Sequence, residues 1–257
     1  MRPLRLFVEA TLGTGATLAP TPAQAHYLLG VMRRRAGDAV LLFNGRDGEW
    51  RAEIADVARR GCALRLVERT RPQDAAPDLW LLFAPVKRAG LDLVARAATE
   101  LGVAALVPMV SGHTVAARLN LERLRANASE AAEQCGRLTV PACRPPATLD
   151  AIVDAWPRER RLLLCEPGDG APIARALPGA AMVPASGAAG PWAVAIGPEG
   201  GFEAAEVARL AALPGAVRAC LGPRILRAET ATIAALACWQ ALIGDWRNRD
   251  GGRGGKQ

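Results

Sequence analysis

The sequence predicts an α/β protein made of two domains, a small β-rich domain over residues 1–72 and a larger domain with a parallel sheet over residues 79–246. Three observations support this prediction. A polar linker, residues 73–78, separates two stretches of different pattern. Before the linker, short apolar runs are joined by glycine-rich turns. After it, apolar runs alternate with segments of helical periodicity, which is typical of a parallel sheet with helices on both faces.

In the first domain the pattern predicts one short helix and three strands. The helix lies near Ala23–Met32. Residues 39–43 and 49–54 are apolar or alternating runs on either side of a turn with two glycines, residues 44–48, and this arrangement predicts a β-hairpin. A further strand is predicted over residues 62–68.

The second domain is predicted to contain five buried strands. They are Leu79–Ala84, Ala104–Val110, Arg161–Glu166, Trp192–Ile196 and Ala216–Leu221. A helix with an apolar face is expected after the first strand and is ended by Gly102. Two more helices are expected to start after Asn120 and Thr148, because both residue types are good N-caps.

The last helix is predicted over about Ala228–Trp246 and is apolar on more than one face. One face is therefore expected to meet something other than its own sheet. A second subunit would satisfy this expectation, and so would the interior of the domain. The glycine- and arginine-rich tail, residues 247–257, is predicted to be disordered.

The composition excludes several classes of protein. Of 257 residues, 51% are apolar, so the chain can bury a substantial core. No apolar stretch is long enough and free enough of charge to span a membrane, and the basic start of the chain lacks the apolar segment of a signal peptide. The six cysteines form no CxxC pair and no cluster with histidine. We therefore expect a cytoplasmic protein with reduced thiols and no metal.

Net positive charge is concentrated in the first domain. Residues 1–72 contain twelve arginines and seven acidic residues, whereas residues 73–244 contain sixteen residues of each sign. The rest of the chain adds four basic and two acidic residues, which completes the net charge of +7. A basic module followed by a neutral one is typical of a protein that binds a polyanion through the first and carries its chemistry in the second.

Three turns in the second domain predict a small-molecule pocket. Two of them, Gly197-Pro198-Glu199-Gly200-Gly201 and the turn beginning Leu221-Gly222-Pro223, join an apolar strand to a helix. Glycines in such turns let a ligand approach main-chain amides without a Cβ in the way. The third follows Leu164-Cys165-Glu166-Pro167. Because ligands of open α/β sheets bind beyond the carboxyl ends of the strands, we expect the three turns to line one site.

These segments resemble the SPOUT methyltransferases, and within them the RsmE family, which methylates N3 of a uridine in 16S ribosomal RNA. The resemblance runs through nearly the whole chain. Besides the two glycine-rich turns, it rests on His26-Tyr27-Leu28-Leu29, Arg33, Gly37-Asp38, Phe43-Asn44-Gly45, Lys87, Asp92, Thr99-Glu100-Leu101-Gly102-Val103, Pro108 and Glu133-Gln134-Cys135-Gly136-Arg137. So many matches in the expected order are not explained by chance.

The resemblance implies a more detailed fold and function. The first domain is expected to be a PUA-like β-barrel that binds RNA, and the second a SPOUT-type parallel sheet domain with a C-terminal trefoil knot, although general topology rules favour an unknotted chain. A homodimer, the cofactor S-adenosylmethionine and a partner that is 16S ribosomal RNA or the small ribosomal subunit are also implied. Two other functions stay open. One is methylation of another RNA, at a ribose 2′-oxygen or a different base; the other is a noncatalytic role as an RNA-binding assembly factor.

The resemblance places the cofactor beside the three turns. The residues concerned are Leu164, Glu166, Ile196, Gly197, Pro198, Glu199, Gly200, Gly201, Leu221, Gly222, Ile225, Leu226 and Thr230. Glu166 is expected to accept hydrogen bonds from the ribose or the adenine amino group, the alternative being a solvent-facing residue at a strand end. For Glu199 the alternative is that it satisfies the free amides and the dipole of a helix start. The apolar residues are expected to pack on the adenine or to be plain core.

Methylation of uracil N3 requires that this nitrogen lose its proton, so a cation near the base oxygens would stabilise the developing anion. Arg224 and Arg227 are the candidates for this role, with Glu229 orienting one of them. The alternative is a structural clamp between arginine and glutamate.

Five residues are candidates for RNA binding, namely His26, Arg33, Arg34, Arg35 and Arg137. Contiguous arginines suit phosphate contacts, although at least one of the three can be a solvated residue at a helix end. The resemblance puts Arg137 on the substrate side, at the mouth of the sheet domain, whereas the sequence alone predicts a helix C-cap. The second histidine, His113, is expected to lie apart from the glycine-rich turns, and neither histidine is expected to be catalytic.

Overall fold

The computed structural model describes residues 3–58, 61–85, 88–114, 119–168, 170–180 and 190–248. The chain divides into two compact units, the first made of Met1–Ala76 and Ser129–Val140 and the second of Pro77–Ala128 and Pro141–Gln257. The sequence pattern does not indicate that residues 129–140 pack with the first unit. The predicted tail beyond residue 248 and Lys87, one of the matched residues, lie outside the described ranges.

The first unit is built on a β-sheet and a short helix. Its described strands are β1 (Leu4–Phe7), β2 (Thr17–Leu18), β3 (Ala39–Phe43), β4 (Glu49–Ala58) and β5 (Gly61–Arg71), arranged in the order β1-β3-β4-β5-β2. Strand β1 runs parallel to β3, and the other neighbours are antiparallel. The predicted hairpin is therefore confirmed as β3 and β4. Helix α1 (Pro22–His26) continues into a π-helical turn, Tyr27–Val31.

Apolar side chains at alternate positions of the strands form the core of the first unit. Val40 and Leu42 of β3 are fully buried and pack with Leu28 from the helical turn. Phe43 belongs to a second buried cluster, together with Ala132 and Leu138. This second cluster explains why residues 129–140 are part of the first unit.

The second unit contains a parallel sheet. Its described strands are β6 (Leu79–Phe83), β7 (Ala105–Val110), β8 (Ala142–Cys143), β9 (Ala147–Thr148), β10 (Arg161–Cys165), β11 (Ala171–Pro172), β12 (Trp192–Ile196) and β13 (Ala216–Cys220). The order is β11-β13-β10-β12-β6-β7-β8, and β9 pairs with the far end of β7. All of these pairs are parallel. The five predicted strands are confirmed to within one residue at either end, and the two-residue strands are additions.

Helices alternate with the strands of this sheet along the chain. They are α2 (Arg88–Glu100), α3 (Leu121–Cys135), α4 (Leu149–Asp154), α5 (Ile173–Ala180), α6 (Ala204–Ala211) and α7 (Ala228–Leu242). The predicted N-caps are confirmed: the amide of Arg123 donates to Asn120 Oδ1 at 2.9 Å, and that of Ala151 to Thr148 Oγ1 at 3.2 Å. Among the described helices, none combines the length and the apolar character that a membrane crossing requires.

The last helix is shorter than the sequence predicts. It ends at Leu242, and a separate 3₁₀ turn, Asp245–Asn248, follows. The buried side chain of Gln240 accounts for this end, because its Oε1 accepts the amide of Asp245 at 3.1 Å and its Nε2 donates to the carbonyl of Leu101 at 2.6 Å. After Leu242, the amide of Asp245 is thus bound by the side chain of Gln240 and not by a main-chain carbonyl of the helix.

Candidate active site at the carboxyl ends of three strands

The three predicted turns leave the same edge of the sheet. Strand β10 lies between β12 and β13, and in the register Cys165 is paired with Ile196 on one side and with Ala219 on the other. Since the strands are parallel, the residues that follow them meet at one edge. The convergence expected from the sequence is therefore present, with β6 next to β12 at the same edge.

The first glycine-rich turn, residues 197–201, is closed by its own hydrogen bond. The amide of Gly201 donates to the carbonyl of Pro198 at 2.9 Å, and Gly201 has a φ of 74°, a conformation that favours glycine. The amides of Glu199 and Gly200 donate to no other group in the described part of the chain. They are free to bind a ligand.

The second turn, residues 221–227, offers a longer run of free amides. Gly222 has a φ of 113°, and a Cβ at this position would meet open space. The amides of Gly222, Arg224, Ile225 and Leu226 donate no hydrogen bond to a described residue. Unpaired main-chain donors are costly unless water or a ligand satisfies them, so this turn is suited to holding a polar molecule.

Glu166 is held in place by a neighbouring strand. Its side chain is only 11% exposed, and its Oε2 accepts from Arg218 Nε at 2.9 Å. The alternative of an ordinary solvent-facing residue is therefore wrong. The ion pair fixes a carboxylate at the edge where the three turns meet.

The apolar site residues divide into core and surface. Leu164 and Ile196 are buried in the sheet, so only their main chains could contact a ligand. Leu221 and Leu226 are half-buried. Ile225 is 87% exposed, which excludes the alternative that it is plain core.

The arginines of the second turn are exposed, as is Thr230 in the first turn of α7. Neither Arg224 nor Arg227 forms an ion pair with Glu229 within the described residues. The described residues therefore contain no arginine–glutamate clamp at this turn, and the orienting role of Glu229 stays a prediction. Both guanidinium groups are left available for a substrate.

Glu199 does not cap the helix that follows the first turn. Its side chain is exposed, and α6 is capped instead by Glu206, whose Oε2 accepts the amide of Glu203 at 2.8 Å. The alternative role proposed for Glu199, to satisfy the free amides at a helix start, is therefore filled by Glu203 and Glu206.

His113 belongs to this site, which the sequence did not predict. Its Nδ1 lies 3.2 Å from the carbonyl oxygen of Gly201. The expectation that it lies apart from the glycine-rich turns is wrong. The same rule that located the turns would have found it, because Ser111 to Thr114 directly follow β7 and so leave the sheet at its carboxyl edge.

The candidate RNA-binding residues all lie in the first unit. His26, Arg33 and Arg35 are exposed around the end of the π-helical turn, whereas Arg34 is half-buried and its buried Nε has no partner among the described residues. The expected position of Arg137 on the substrate side stays a prediction. Arg137 follows the end of α3, next to Gly136 with a φ of 83°, and its guanidinium donates to Thr139 Oγ1 at 2.8 Å.

Among the described residues, no group of three or more His, Cys, Asp or Glu side chains is placed to hold a metal ion. The thiols of Cys143 and Cys165 are poor nucleophiles. Burial raises the pKa of the Cys143 thiol to about 11 and raises that of Cys165 further. The groups present at the site are main-chain amides, arginines, carboxylates and the imidazole of His113.

Two family models match the chain. Residues 73–240 match an RNA methyltransferase domain, and residues 20–67 match an RNA methyltransferase PUA domain. The parallel sheet, the turns at its carboxyl edge and these matches define the protein as an RNA methyltransferase with an N-terminal PUA-like domain.

Relatives and solved structures narrow the class. Ribosomal RNA small subunit methyltransferase E from Synechocystis is 36% identical over 93% of this chain and 78% of its own length, and that from Rickettsia conorii is 30% identical over 91% and 93%. The Neisseria gonorrhoeae enzyme of this name, crystallised with S-adenosyl methionine, superposes with a TM-score of 0.83 at 25% identity, covering 94% of this chain and 98% of its own. The chain belongs to the family of ribosomal RNA small subunit methyltransferase E, which confirms the resemblance to RsmE.

Proposed function

We propose that the protein transfers a methyl group from S-adenosylmethionine to N3 of a uridine in 16S ribosomal RNA. The observation that carries this proposal is the meeting of three turns, with six unpaired amides, at the carboxyl edge of the sheet. The Neisseria gonorrhoeae relative with the same fold was solved with S-adenosyl methionine bound, and a Legionella pneumophila protein with a TM-score of 0.79 was solved in complex with SAM.

The residues at this edge fit such a cofactor. Adenine presents donors and acceptors that main-chain groups can satisfy, and the ribose diol can donate to a carboxylate. The two turns supply free amides, Glu166 supplies a fixed carboxylate, and Leu221 and Leu226 supply apolar surface. When bound, the cofactor provides an electrophilic methyl group on a positively charged sulfonium.

The protein itself must make uracil N3 nucleophilic, so that this nitrogen can attack the methyl carbon of the donor. N3 must first lose its proton to water or another acceptor, which places negative charge on the base oxygens. The nitrogen–carbon bond would then form as the sulfur–carbon bond of the donor breaks, and the demethylated donor would be the leaving group. Arg224 or Arg227 stabilises that charge, because both guanidinium groups are exposed beside the second turn and unpaired within the described residues. Since N3 lies on the pairing edge, the target base must be unpaired or flipped out of its stack.

The first unit is the RNA-binding part in this proposal. His26, Arg33 and Arg35 are exposed on one turn of a domain that matches a PUA model. Exposed arginines bind phosphates without regard to sequence, so they supply affinity and position. A substrate of ribosomal RNA or the small subunit places the protein in the cytoplasm.

We also propose a homodimer formed through α7, and the C-terminal trefoil knot of the SPOUT fold. Thr230, Ile233, Ala234, Ala237 and Ala241 recur at helical spacing on one side of α7 and are exposed or half-buried. Ile233 is 37% exposed, which is unusual for a residue of this size in a helix whose other side is fully buried. A second copy of the chain would cover this stripe.

The proposal is tested with ribosomal RNA from cells that lack this protein. Incubation with the purified protein and S-adenosylmethionine, followed by nucleoside analysis, should yield N3-methyluridine in 16S RNA and none in 23S RNA. A methyl group at a ribose 2′-oxygen or on another base would contradict the assigned target. Failure to bind S-adenosylmethionine in calorimetry would contradict catalysis altogether and favour a noncatalytic RNA-binding role.

A further inference from the structure

The loop that follows β7, residues 111–114, is locked by hydrogen bonds within itself. The amide of Ser111 donates to Thr114 Oγ1 at 2.9 Å, the amide of Thr114 donates to the carbonyl of Ser111 at 3.0 Å, and the two hydroxyl oxygens are 3.0 Å apart. Ser111 is buried. These bonds leave little freedom to the two residues between them, Gly112 and His113.

Both of these residues contact the neighbouring segment that begins with the first glycine-rich turn. The amide of Gly112 donates to Glu206 Oε1 at 2.8 Å, while the other oxygen of that carboxylate accepts the amide of Glu203. His113 Nδ1 lies 3.2 Å from the carbonyl oxygen of Gly201, a distance at which a protonated Nδ1 donates to the carbonyl. The β7 loop is therefore joined to both ends of the segment 201–206.

His113 also packs against the tip of the turn. A Cβ at Gly200 would lie 3.2 Å from the Cβ of His113, so the histidine occupies the space above this glycine. Nδ1 of the same side chain holds the carbonyl of Gly201. As a result, His113 fixes Gly200 and Gly201 at the tip of the turn, and the peptide group that precedes Gly200 carries one of the turn's free amides.

We propose that His113 is a positioning residue that holds the turn 197–201 in the form that binds the methyl donor. This inference rests on the proposed function, since the donor's site includes that turn. Its physical basis is preorganisation: a turn that is already ordered loses less conformational entropy when a ligand binds. His113 acts on the turn and not on the uracil.

Two substitutions separate the hydrogen bond from the packing. H113L keeps an apolar side chain above Gly200 but cannot donate to Gly201, whereas the amide nitrogen of H113N takes about the place of Nδ1 and can. H113L should raise the dissociation constant for S-adenosylmethionine by about tenfold, as expected for the loss of one hydrogen bond and of some loop order. H113N should bind within about twofold of the wild type, and kcat at saturating donor should change little in both.

A second pair of variants tests the same idea without altering the histidine. T114V removes the hydroxyl that closes the β7 loop, and T114S keeps it. T114V should weaken donor binding in the same direction as H113L, and T114S should not. This pair carries the test if H113L does not fold. R158A, a change in an exposed turn to which no role is assigned, is the control for substitution itself.

The possible outcomes distinguish this inference from the proposed function. If the wild type does not bind S-adenosylmethionine, the proposed function fails. If the wild type binds and H113L binds equally well, only the positioning role fails. A fall in kcat with unchanged donor affinity, not rescued in H113N, would also overturn it, because His113 would then act on the reaction itself.

Discussion

At the level of single residues, Arg224 and Arg227 are the groups on which the proposed chemistry depends. Both are exposed on the second turn and pair with no carboxylate among the described residues. Arg227 is in addition the N-cap residue of α7, where its carbonyl accepts the amide of Ala231 at 2.8 Å. Its main chain is therefore fixed while its guanidinium remains free, which is what a group that stabilises developing charge requires.

We expect R227A to lower kcat by about 100-fold, the loss typical of removing one group that stabilises transition-state charge. Donor affinity should be unchanged, since the proposed donor site consists of main-chain amides and Glu166. Single-turnover methylation and calorimetry measure the two quantities, and R227K should recover part of the rate. Normal turnover together with normal RNA affinity in R227A would exclude Arg227 from the chemistry.

Glu49 makes the stability of the first unit depend on pH. Its carboxylate is buried and accepts from Arg5 Nε at 2.7 Å and from Arg71. Burial alone would raise the pKa of Glu49, but the bonds and charges of the two arginines outweigh it, and the pKa is lowered. A lowered pKa stabilises the fold above the ordinary carboxyl pKa, and this stabilisation is lost as the pH falls through the pKa of the folded state.

The E49Q variant should accordingly lose on the order of 3 kcal/mol of unfolding free energy at neutral pH, the usual cost of removing one partner from a buried ion pair. The difference from the wild type should shrink as the pH is lowered from 7 to about 3. Urea unfolding at a series of pH values measures it. E53Q, on the same strand but with partners that are more exposed, should have little effect. An E49Q deficit that does not depend on pH would contradict this account.

At the level of elements, the apolar runs were sufficient to predict the central strands, because a strand buried on both faces needs little beyond continuous apolar side chains. The two-residue strands β8, β9 and β11 could not be predicted, since pairing with a neighbour defines them. The predicted end of α7 was wrong for a similar reason. The helix is capped by the side chain of Gln240, which donates a hydrogen bond to the carbonyl of Leu101, far away in sequence.

The site residues also divide into those with a local sequence signal and those defined by contacts distant in sequence. The turns after β10, β12 and β13 were predicted because each carries its own sequence signal of glycine, proline or a strand-end acid. The position of His113 after β7 was enough to place it at this edge, but its contact with Gly201, 88 residues away along the chain, could not be predicted. The pairing of Glu166 with Arg218 was likewise invisible, since it depends on β10 and β13 being neighbours.

The exposed stripe of α7 leads to a prediction about assembly. An I233E substitution places a charge at the centre of the stripe, where a partner helix would have to desolvate it. Sedimentation velocity should show a dimer for the wild type and a monomer for I233E at micromolar concentration. E122A, an exposed change on α3, should remain dimeric. A dimeric I233E, or a monomeric wild type, would contradict the proposed interface.

At the level of the whole molecule, removal of residues 1–72 would not isolate the RNA-binding function. Ser129–Val140 packs with the first unit, where Phe43 covers Ala132 and Leu138. Arg5 also donates to the carbonyls of Ala132 and Arg137. A truncated chain would leave these groups exposed and unpaired, so its loss of RNA binding could come from unfolding.

Surface substitutions in the intact chain give a sharper test. Arg33 and Arg35 are exposed, so replacing both with alanine removes two cations with little effect on the core. Each phosphate contact contributes about 0.7 to 0.9 to the slope of log K against log salt concentration. The double variant should therefore bind 16S RNA more weakly at low salt, with a slope shallower by about 1.5. Donor affinity and the unfolding midpoint should match the wild type, whereas an unchanged salt slope would show that these arginines do not contact the RNA.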